Sequence, residues 1–349
     1  MRRVYVAWSQ YKGKAANNSI LLSRSTDHGL SFSPAIKVTP VEHGTGSFTD
    51  LVVGPDGSVY LTYLTYPSSS RPTSDIWLVR STNGGVSFGA PSHVAPITRF
   101  DSDQFSGGTG AVDCGDGPFA CPSGFTYSRF FSSSAVAADA NGVHVVYAAE
   151  RPDGQSKVFV RNSPDGVSFP AAAAQLDTVG TGHQWFPDIA SADGIITVVF
   201  YDSRGDSGYA PDVPPGNTAG GVNSGDVVNT FIARSANGTS WTETQVTTEG
   251  SNFGWETHGS RRLGFWGDYI YVSAVPGAVN VTWTDSRDLV PGSDPRETGA
   301  DDDGDGFDVF QPCTYVPNDI DAPSYSSPAT NDPCLSQGGL DQNIYAARV

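Results

Sequence analysis

Apolar and polar residues alternate along most of the chain in short runs that share one grammar. One set reads VYVAW (4–8), VYLTY (59–63), VHVVY (143–147), ITVVF (196–200) and VNVTW (279–283). A period of two places alternate side chains on opposite faces, which predicts β-strands rather than helices. A second set, SILLS, DIWLV, KVFV and TFIA, leads into a polar, glycine-containing box: RSTDHGLSF (24–32), RSTNGGVSF (80–88), RNSPDGVSF (161–169) and RSANGTSW (234–241). Upstream lies a third set ending in a tight turn: DLVVGPDG, AVAADANG, DIASADG and YVSAVPG. After each box comes a fourth extended segment, such as AIKVT or TQVTT. The unit is therefore an antiparallel meander of strands A, B, C and D with short A–B and C–D turns.

Repeated four-stranded meanders of this spacing predict an all-β fold, a β-propeller of four-stranded antiparallel blades. Five B and five C strands are visible but four A and four D strands. The first unit lacks A, and the last, NIYAARV, stops at C. The expectation is one propeller domain over 1–349 with long insertions at 89–131, 201–227 and 284–342. Composition agrees, since 40 glycines and 24 prolines among 349 residues disfavour helix interiors. With 38 % hydrophobic and 11 % aromatic residues, there is ample material for a core.

The formal net charge of −17 disfavours phosphate backbones and anionic membranes as partners. No run of 18 apolar residues offers a membrane-spanning helix. The four cysteines fall as two local pairs, Cys114/Cys121 and Cys313/Cys334, in loops rich in Gly, Pro and Asp. Two loop-stapling disulfides are expected, and with them an oxidising compartment: secreted, cell-surface or periplasmic. The start, MRRVYVAWSQ, carries no apolar export segment. The expectation is that a signal was removed or that the chain is cut short at its N-terminus.

The box Ser25-x-Asp27-x-Gly29-x-Ser31-Phe32 resembles the Asp-box of the sialidase-like (bacterial neuraminidase repeat) propeller family. In the second copy Asn83 replaces the aspartate; the third places Pro164 there by length, and the fourth is one residue shorter. The box reads as a turn in which the acid accepts backbone N–H bonds, glycine supplies positive φ and the aromatic packs inward. The resemblance implies a six-bladed propeller, so either one blade's worth is missing or unrecognised, or five units close imperfectly. It also implies an exo-α-sialidase type of glycoside hydrolase acting on sialylated or other acidic glycans. In that family three arginines hold the substrate carboxylate, a tyrosine paired with a glutamate is the nucleophile, and an aspartate is the acid/base.

The D–A and B–C connections emerge opposite the boxes and hold the long insertions, so candidate chemistry collects there. B strands end in AAERPDG, FYDSRGD and WTDSRD, making Glu150/Arg151, Asp202/Arg204 and Asp285/Arg287 equivalent. By the resemblance, Arg204 and Arg287 are the leading carboxylate-binding arginines, with Arg129 or Arg261 as the third. Glu256 or Glu150 would partner Tyr201 or Tyr269, and Asp50 would be the acid/base. Trp185 and Trp266 would offer apolar faces to a sugar. Asp188, Asp268, His183 and His258 stand nearby in sequence. Against these roles, Asp and Arg two residues apart on a strand end can pair with each other, and tryptophans and histidines can simply pack between blades.

A separate signal is ADDDGDGFD (300–308): Asp301, Asp303 and Asp305 before Gly306 begin a calcium loop, with Asp308 as a further ligand. Position twelve is Pro312 rather than Glu, so the loop departs from a complete EF-hand, and a solvated acidic loop is the alternative. A structural Ca2+ is expected, with no organic cofactor. Two further function classes stay open: a non-catalytic propeller that binds glycans or proteins, and a structural module of a larger surface protein.

Overall fold

The computed structural model of the protein describes residues 3–10, 18–40, 43, 46–66, 73–98, 112–113, 120–121, 127–128, 133–177, 179–211, 213, 215–216, 225–252, 263–264, 266, 270–287, 314–316, 324–326 and 343–349. All regular structure among them is β. Blade 1 holds β1 (Val4–Gln10), β2 (Ser19–Ser25) and β3 (Ile36–Lys37), and blade 2 holds β4 (Gly46–Val53), β5 (Val59–Thr65), β6 (Ser74–Ser81) and β7 (Ser92–Ile97). Three two-residue strands follow: β8 (Val112–Asp113), β9 (Ala120–Cys121) and β10 (Tyr127–Ser128). Blade 3 holds β11 (Ser134–Asp139), β12 (Gly142–Glu150), β13 (Ser156–Ser163) and β14 (Ala174–Gln175). Blade 4 holds β15 (Gln184–Ala192), β16 (Ile195–Asp202), β17 (Asn229–Ser235) and β18 (Thr242–Gln245).

After β19 (Leu263–Gly264), which pairs in parallel with β10, come β20 (Tyr271–Val275) and β21 (Ala278–Asp285) of blade 5. β22 (Thr314–Val316) and β23 (Ser324–Ser326) form their own ribbon, and β24 (Asn343–Arg348) completes blade 5 by pairing with β21. Every pairing within the five blades is antiparallel between strand neighbours, in the A-B-C-D order read from the sequence, with A absent from blade 1 and D from blade 5 among the described residues. The A strands β4, β11, β15 and β20 pack against one another in succession, so they line the axis of a β-propeller.

The alternation has a specific cause. All seven residues of β5 are buried, because each parity of a B strand faces a different neighbouring blade. Leu61 and Tyr63 pack with Ile20 and Leu22 of blade 1, whereas Tyr60 and Leu64 pack with Val143 and Val145 of blade 3. In the same way Val146 and Ala148 turn toward Ile196, Val198 and Phe200 of blade 4, whose Val199 and Tyr201 face Val281 and Trp283 of blade 5. Among the described residues the core is divided into four inter-blade clusters.

The C–D turns show how the boxes work. In blade 1 the Ser25 hydroxyl accepts from the Gly29 N–H at 2.9 Å, and Asp27 accepts from the Ser31 N–H at 2.9 Å. Asn83 reproduces this in blade 2, accepting from the Ser87 N–H at 3.1 Å. In blade 3 Pro164 does not occupy the acidic position: the box is one residue shorter, and Asp165 accepts from the Ser168 N–H at 2.8 Å while Ser163 accepts from Gly166. Asn237 does the same in blade 4. Glycine is required in blade 3, where φ is +66° and a Cβ would stand 2.3 Å from the Tyr60 ring of the preceding blade. The inward aromatic holds for Phe88, Phe169 and Trp241, which pack on the cores, but Phe32 is 44 % exposed.

Candidate active site

Two A strands are interrupted at the same place. The β4–β5 ladder breaks register between Ser47 and Asp50, and the β15–β16 ladder between Trp185 and Asp188. Phe48 and Phe186 sit inside these bulges at φ +49° and +48°. Left-handed backbone at an aromatic residue costs on the order of 1–3 kcal/mol, and a bulge re-aims the side chain that follows it. Here both bulges turn Phe-x-Asp toward the axis. A cavity of about 170 Å³ results, lined by the starts of all four A strands, with Phe48, Asp50, Ala135, Phe186, Asp188 and Tyr271 among its walls.

The two carboxylates are partly buried and anchored alike. Asp50 Oδ2 accepts from the Val136 N–H of blade 3 at 2.8 Å, and Asp188 Oδ2 accepts from the Val272 N–H of blade 5 at 2.8 Å. Burial dominates their proton affinity. It pushes Asp50 up to about 6 against the pull of the Val136 N–H. Asp188 rises to about 7, burial again leading, opposed by the Val272 N–H and reinforced by the negative charge of Asp50. Two acids thus line one cavity, and burial raises the proton affinity of both toward neutrality.

Among the described residues, the other expected ones go elsewhere. Tyr201 is 2 % exposed, and its hydroxyl donates to the Thr284 carbonyl at 2.9 Å while accepting from the Thr284 N–H. Burial raises its pKa far above the usual phenol range. It stands with Trp185 and Trp266 in the wall between blades 4 and 5, where Trp266 Nε1 donates to Ser286 at 2.6 Å. These three are packing residues of that wall.

Arg204 and Arg287 pair off instead of converging. Arg287 forks onto Asp285, two residues earlier, and lies over the Tyr345 ring at 4.3 Å. Arg204 donates to Asp202 at 2.6 Å and Glu243 at 2.7 Å, and lies over Phe231 at 4.1 Å. The two sites are equivalent: an Asp–Arg pair at a B-strand end whose guanidinium lies over a C-strand aromatic. Arg151 departs from this, bridging to Asp153 at 2.9 Å.

Arg204 belongs to a larger buried network joining blades 3 and 4. Lys157, fully buried on β13, donates to Asp177 at 3.3 Å and to the Val179 and Thr181 carbonyls. Gln184 bridges Asp177 and Asp202. His183 donates from Nε2 to the Val213 carbonyl at 3.1 Å and accepts from the Ser156 N–H; burial lowers its pKa to about 4, so it is a neutral structural ring.

Arg129, Glu256, His258, Arg261, Asp268 and Tyr269 lie outside the described residues, as do Asp301, Asp303, Asp305 and Asp308. So do Cys114, Cys313 and Cys334; Cys121 lies in β9, but its side chain is not described. Among the described residues no group of three or more potential ligands is placed to hold a metal ion. What sequence reading missed is the pairing of Asp188 with Asp50 and the role of Phe48 and Phe186. The available signal was the repeated Phe-x-Asp in SFTD (47–50) and WFPD (185–188).

No family model matches the chain. No curated protein matches it in sequence. Solved structures do resemble it. The GH93 α-L-arabinofuranosidase of Fusarium graminearum with arabinobiose is 13 % identical at a TM-score of 0.48, over 80 % of this chain and 70 % of that one. The Penicillium chrysogenum α-L-arabinanase with arabinobiose is 12 % identical at a TM-score of 0.46, over 80 % and 74 %. A thermostable family-43 glycoside hydrolase is 12 % identical at a TM-score of 0.40, over 71 % and 73 %. At such values the likeness says nothing about chemistry, and the propeller assignment rests on the blades themselves.

Proposed function

We propose that the protein is a propeller glycoside hydrolase whose axial cavity takes the terminal sugar of a glycan. The observation that carries this is the placement of Asp50 and Asp188 on one cavity with unequal, raised proton affinities. Asp188, the one holding its proton to higher pH, is the general acid that protonates the leaving oxygen. Asp50, ionised at lower pH, serves the opposite side of the bond as base or nucleophile. Phe48 and Phe186 supply apolar faces for the ring. The bulges keep this geometry in place at a cost that the inter-blade cores offset.

The test is a panel of fluorogenic glycosides that includes an α-L-arabinofuranoside, as the probe suggested by the solved arabinan-active neighbours, and an α-sialoside. Turnover that falls at least about 100-fold in Asp188→Asn and Asp50→Asn, with unchanged circular dichroism, is the expected result. Turnover indifferent to both substitutions sinks the proposal. The narrower exo-α-sialidase version on acidic glycans draws its support from the box turns, and the sialoside arm tests it. A second reading, a non-catalytic glycan- or protein-binding propeller, is favoured by the self-paired Arg204 and Arg287; it predicts no turnover anywhere in the panel. To the same proposal belong a single domain over 1–349, a structural Ca2+ on Asp301, Asp303, Asp305 and Asp308, disulfides Cys114–Cys121 and Cys313–Cys334, and secretion or surface display. Melting with and without a chelator and mass mapping of the cystines check the metal and the disulfides.

A further inference from the structure

Asn-Gly occurs three times in the chain: Asn83-Gly84 and Asn237-Gly238 in the boxes of blades 2 and 4, and Asn141-Gly142 in the A–B turn of blade 3. A glycine after asparagine leaves the next backbone nitrogen without a neighbouring Cβ to shield it. That nitrogen can attack the side-chain carbonyl carbon of the asparagine. The new N–C bond closes a succinimide, and the bond from that carbon to the side-chain nitrogen breaks. The side-chain nitrogen leaves as ammonia, with the glycine's amide proton. Water then opens the ring at either carbonyl, giving aspartate or, with one more methylene in the main chain, isoaspartate. Only water is consumed, so the rate is set by how freely the side chain reaches the glycine nitrogen.

All three asparagines are exposed, so the difference lies in what holds the side chain. Asn83 Oδ1 accepts from the Val86 and Ser87 N–H groups, both at 3.1 Å, and its Nδ2 donates to Ser87 Oγ at 2.8 Å. Asn237 Oδ1 accepts from the Thr239 and Ser240 N–H groups, both at 2.9 Å. Each amide is clamped onto residues beyond its glycine, and the Gly238 N–H is itself bonded to Ser235 Oγ at 2.8 Å. Asn141 stands at the tip of a two-residue turn closed by Asp139 and Gly142, the last rung of the β11–β12 ladder, where pairs open most readily. Its backbone N–H donates to Asp139 Oδ1 at 2.7 Å, but among the described residues its side-chain amide has no hydrogen bond.

We infer that Asn141 is the site where this chain deamidates and forms isoaspartate first, and that the boxes protect Asn83 and Asn237. The product has consequences at 141. Asp139 of the same turn meets His144 at 3.3 Å; His144 bonds Asn162, which donates to the Gly238 carbonyl of blade 4. An added carboxylate and methylene would enter the head of that chain. Gly142 has little room to yield, since a Cβ there would stand 2.2 Å from the Ser163 carbonyl. In the boxes aspartate would change little, because Asp27 and Asp165 already hold the same turn in blades 1 and 3.

The test is to age the full chain at mildly alkaline pH and follow the three peptides by mass spectrometry, with methyltransferase labelling of isoaspartate. In the folded chain Asn141 should convert at least about 10-fold faster than Asn83 or Asn237, since reaction in a box waits for its clamp to open. In urea the three rates should come within a few-fold of one another. Ser235→Ala, which frees the Gly238 N–H and removes one donor to Asn237, should raise conversion at Asn237 alone. If that variant does not fold, the comparison of folded and urea-unfolded wild type still decides. Conversion of either box asparagine as fast as Asn141 in the folded chain overturns the inference. So does a lead for Asn141 that is just as large in urea, since the fold would then not be its cause.

Discussion

Asp188→Asn should separate the energetic cost of the axial site from its use. In the unfolded chain this carboxyl titrates near the ordinary value of 3.8; in the fold it holds its proton to about 7. Below the unfolded value both states are protonated and burial costs nothing. As pH rises the unfolded state releases its proton first, so stability falls between about 4 and 7 and then levels off. A shift of about three units at roughly 1.4 kcal/mol per unit gives about 4 kcal/mol. Partial exposure and the repulsion shared with Asp50 reduce this to about 2–4 kcal/mol.

Asparagine keeps a carbonyl oxygen to accept from the Val272 N–H but has no proton to lose. The variant should therefore match the wild type or fall slightly below it near pH 4, and exceed it by about 2–4 kcal/mol near pH 8. Urea unfolding across that range, plotted as the difference between the two proteins, reads the effect directly. A difference that stays flat with pH, or that runs against the variant as pH rises, refutes the buried-carboxylate account. The same substitution should abolish turnover, since a site that strains its own fold is the usual place where activity and stability trade off.

Tyr201→Phe removes a hydroxyl that bonds both polar groups of Thr284, so it should cost about 1–3 kcal/mol in urea unfolding. Whatever turnover the protein has should stay within a few-fold; complete loss would restore Tyr201 as a nucleophile. Lys157→Met leaves Asp177 buried without its nearest cation, and a loss of about 3–5 kcal/mol is expected by the same measurement. An unchanged midpoint would mean that Arg204, 3.5 Å from Asp177, takes over the charge. Gly182→Ala should be far more damaging than Gly29→Ala. Both glycines have positive φ, but a Cβ at 182 would meet the Arg204 backbone at 2.4 Å whereas one at 29 meets nothing within 4 Å. Comparable melting temperatures for the two would contradict that packing.

The blades were legible because a B strand buried on both sides still alternates between two neighbours, as Leu61/Tyr63 and Tyr60/Leu64 do on β5. Strand order followed from counting segments, including the units that lack an A or a D strand. Side-chain duty was less legible. A tyrosine at a strand end reads the same whether its hydroxyl faces a substrate or, as in Tyr201, a neighbouring backbone. An Asp and an Arg two residues apart can satisfy each other, and Asp202/Arg204 (with Glu243) and Asp285/Arg287 do so. In the third box a one-residue deletion hid Asp165 behind Pro164, since matching by length ignores which oxygen reaches the amides. Phe48 and Phe186 were invisible as site-builders because left-handed backbone at phenylalanine opposes local preference and arises only when tertiary packing imposes it.

Blades 2 and 3 assemble from strands that follow one another closely and blade 4 spans residues 203–228 between β16 and β17, but blade 5 reaches furthest: β21 waits for β24 across residues 286–342. Its last strand is in effect a tethered peptide ligand, docked by a six-residue ladder and by Tyr345 stacked on Trp283 at 6.0 Å. Loop closure costs only about 0.6 kcal/mol per doubling of length, so the length of that connection should matter little to the equilibrium. Kinetics are less forgiving, since non-local pairing slows folding. A cut within 288–312 or 335–342, outside the span that a Cys313–Cys334 disulfide would bridge, would turn the docking of β24 into a bimolecular step, so that the integrity of blade 5 would then depend on concentration.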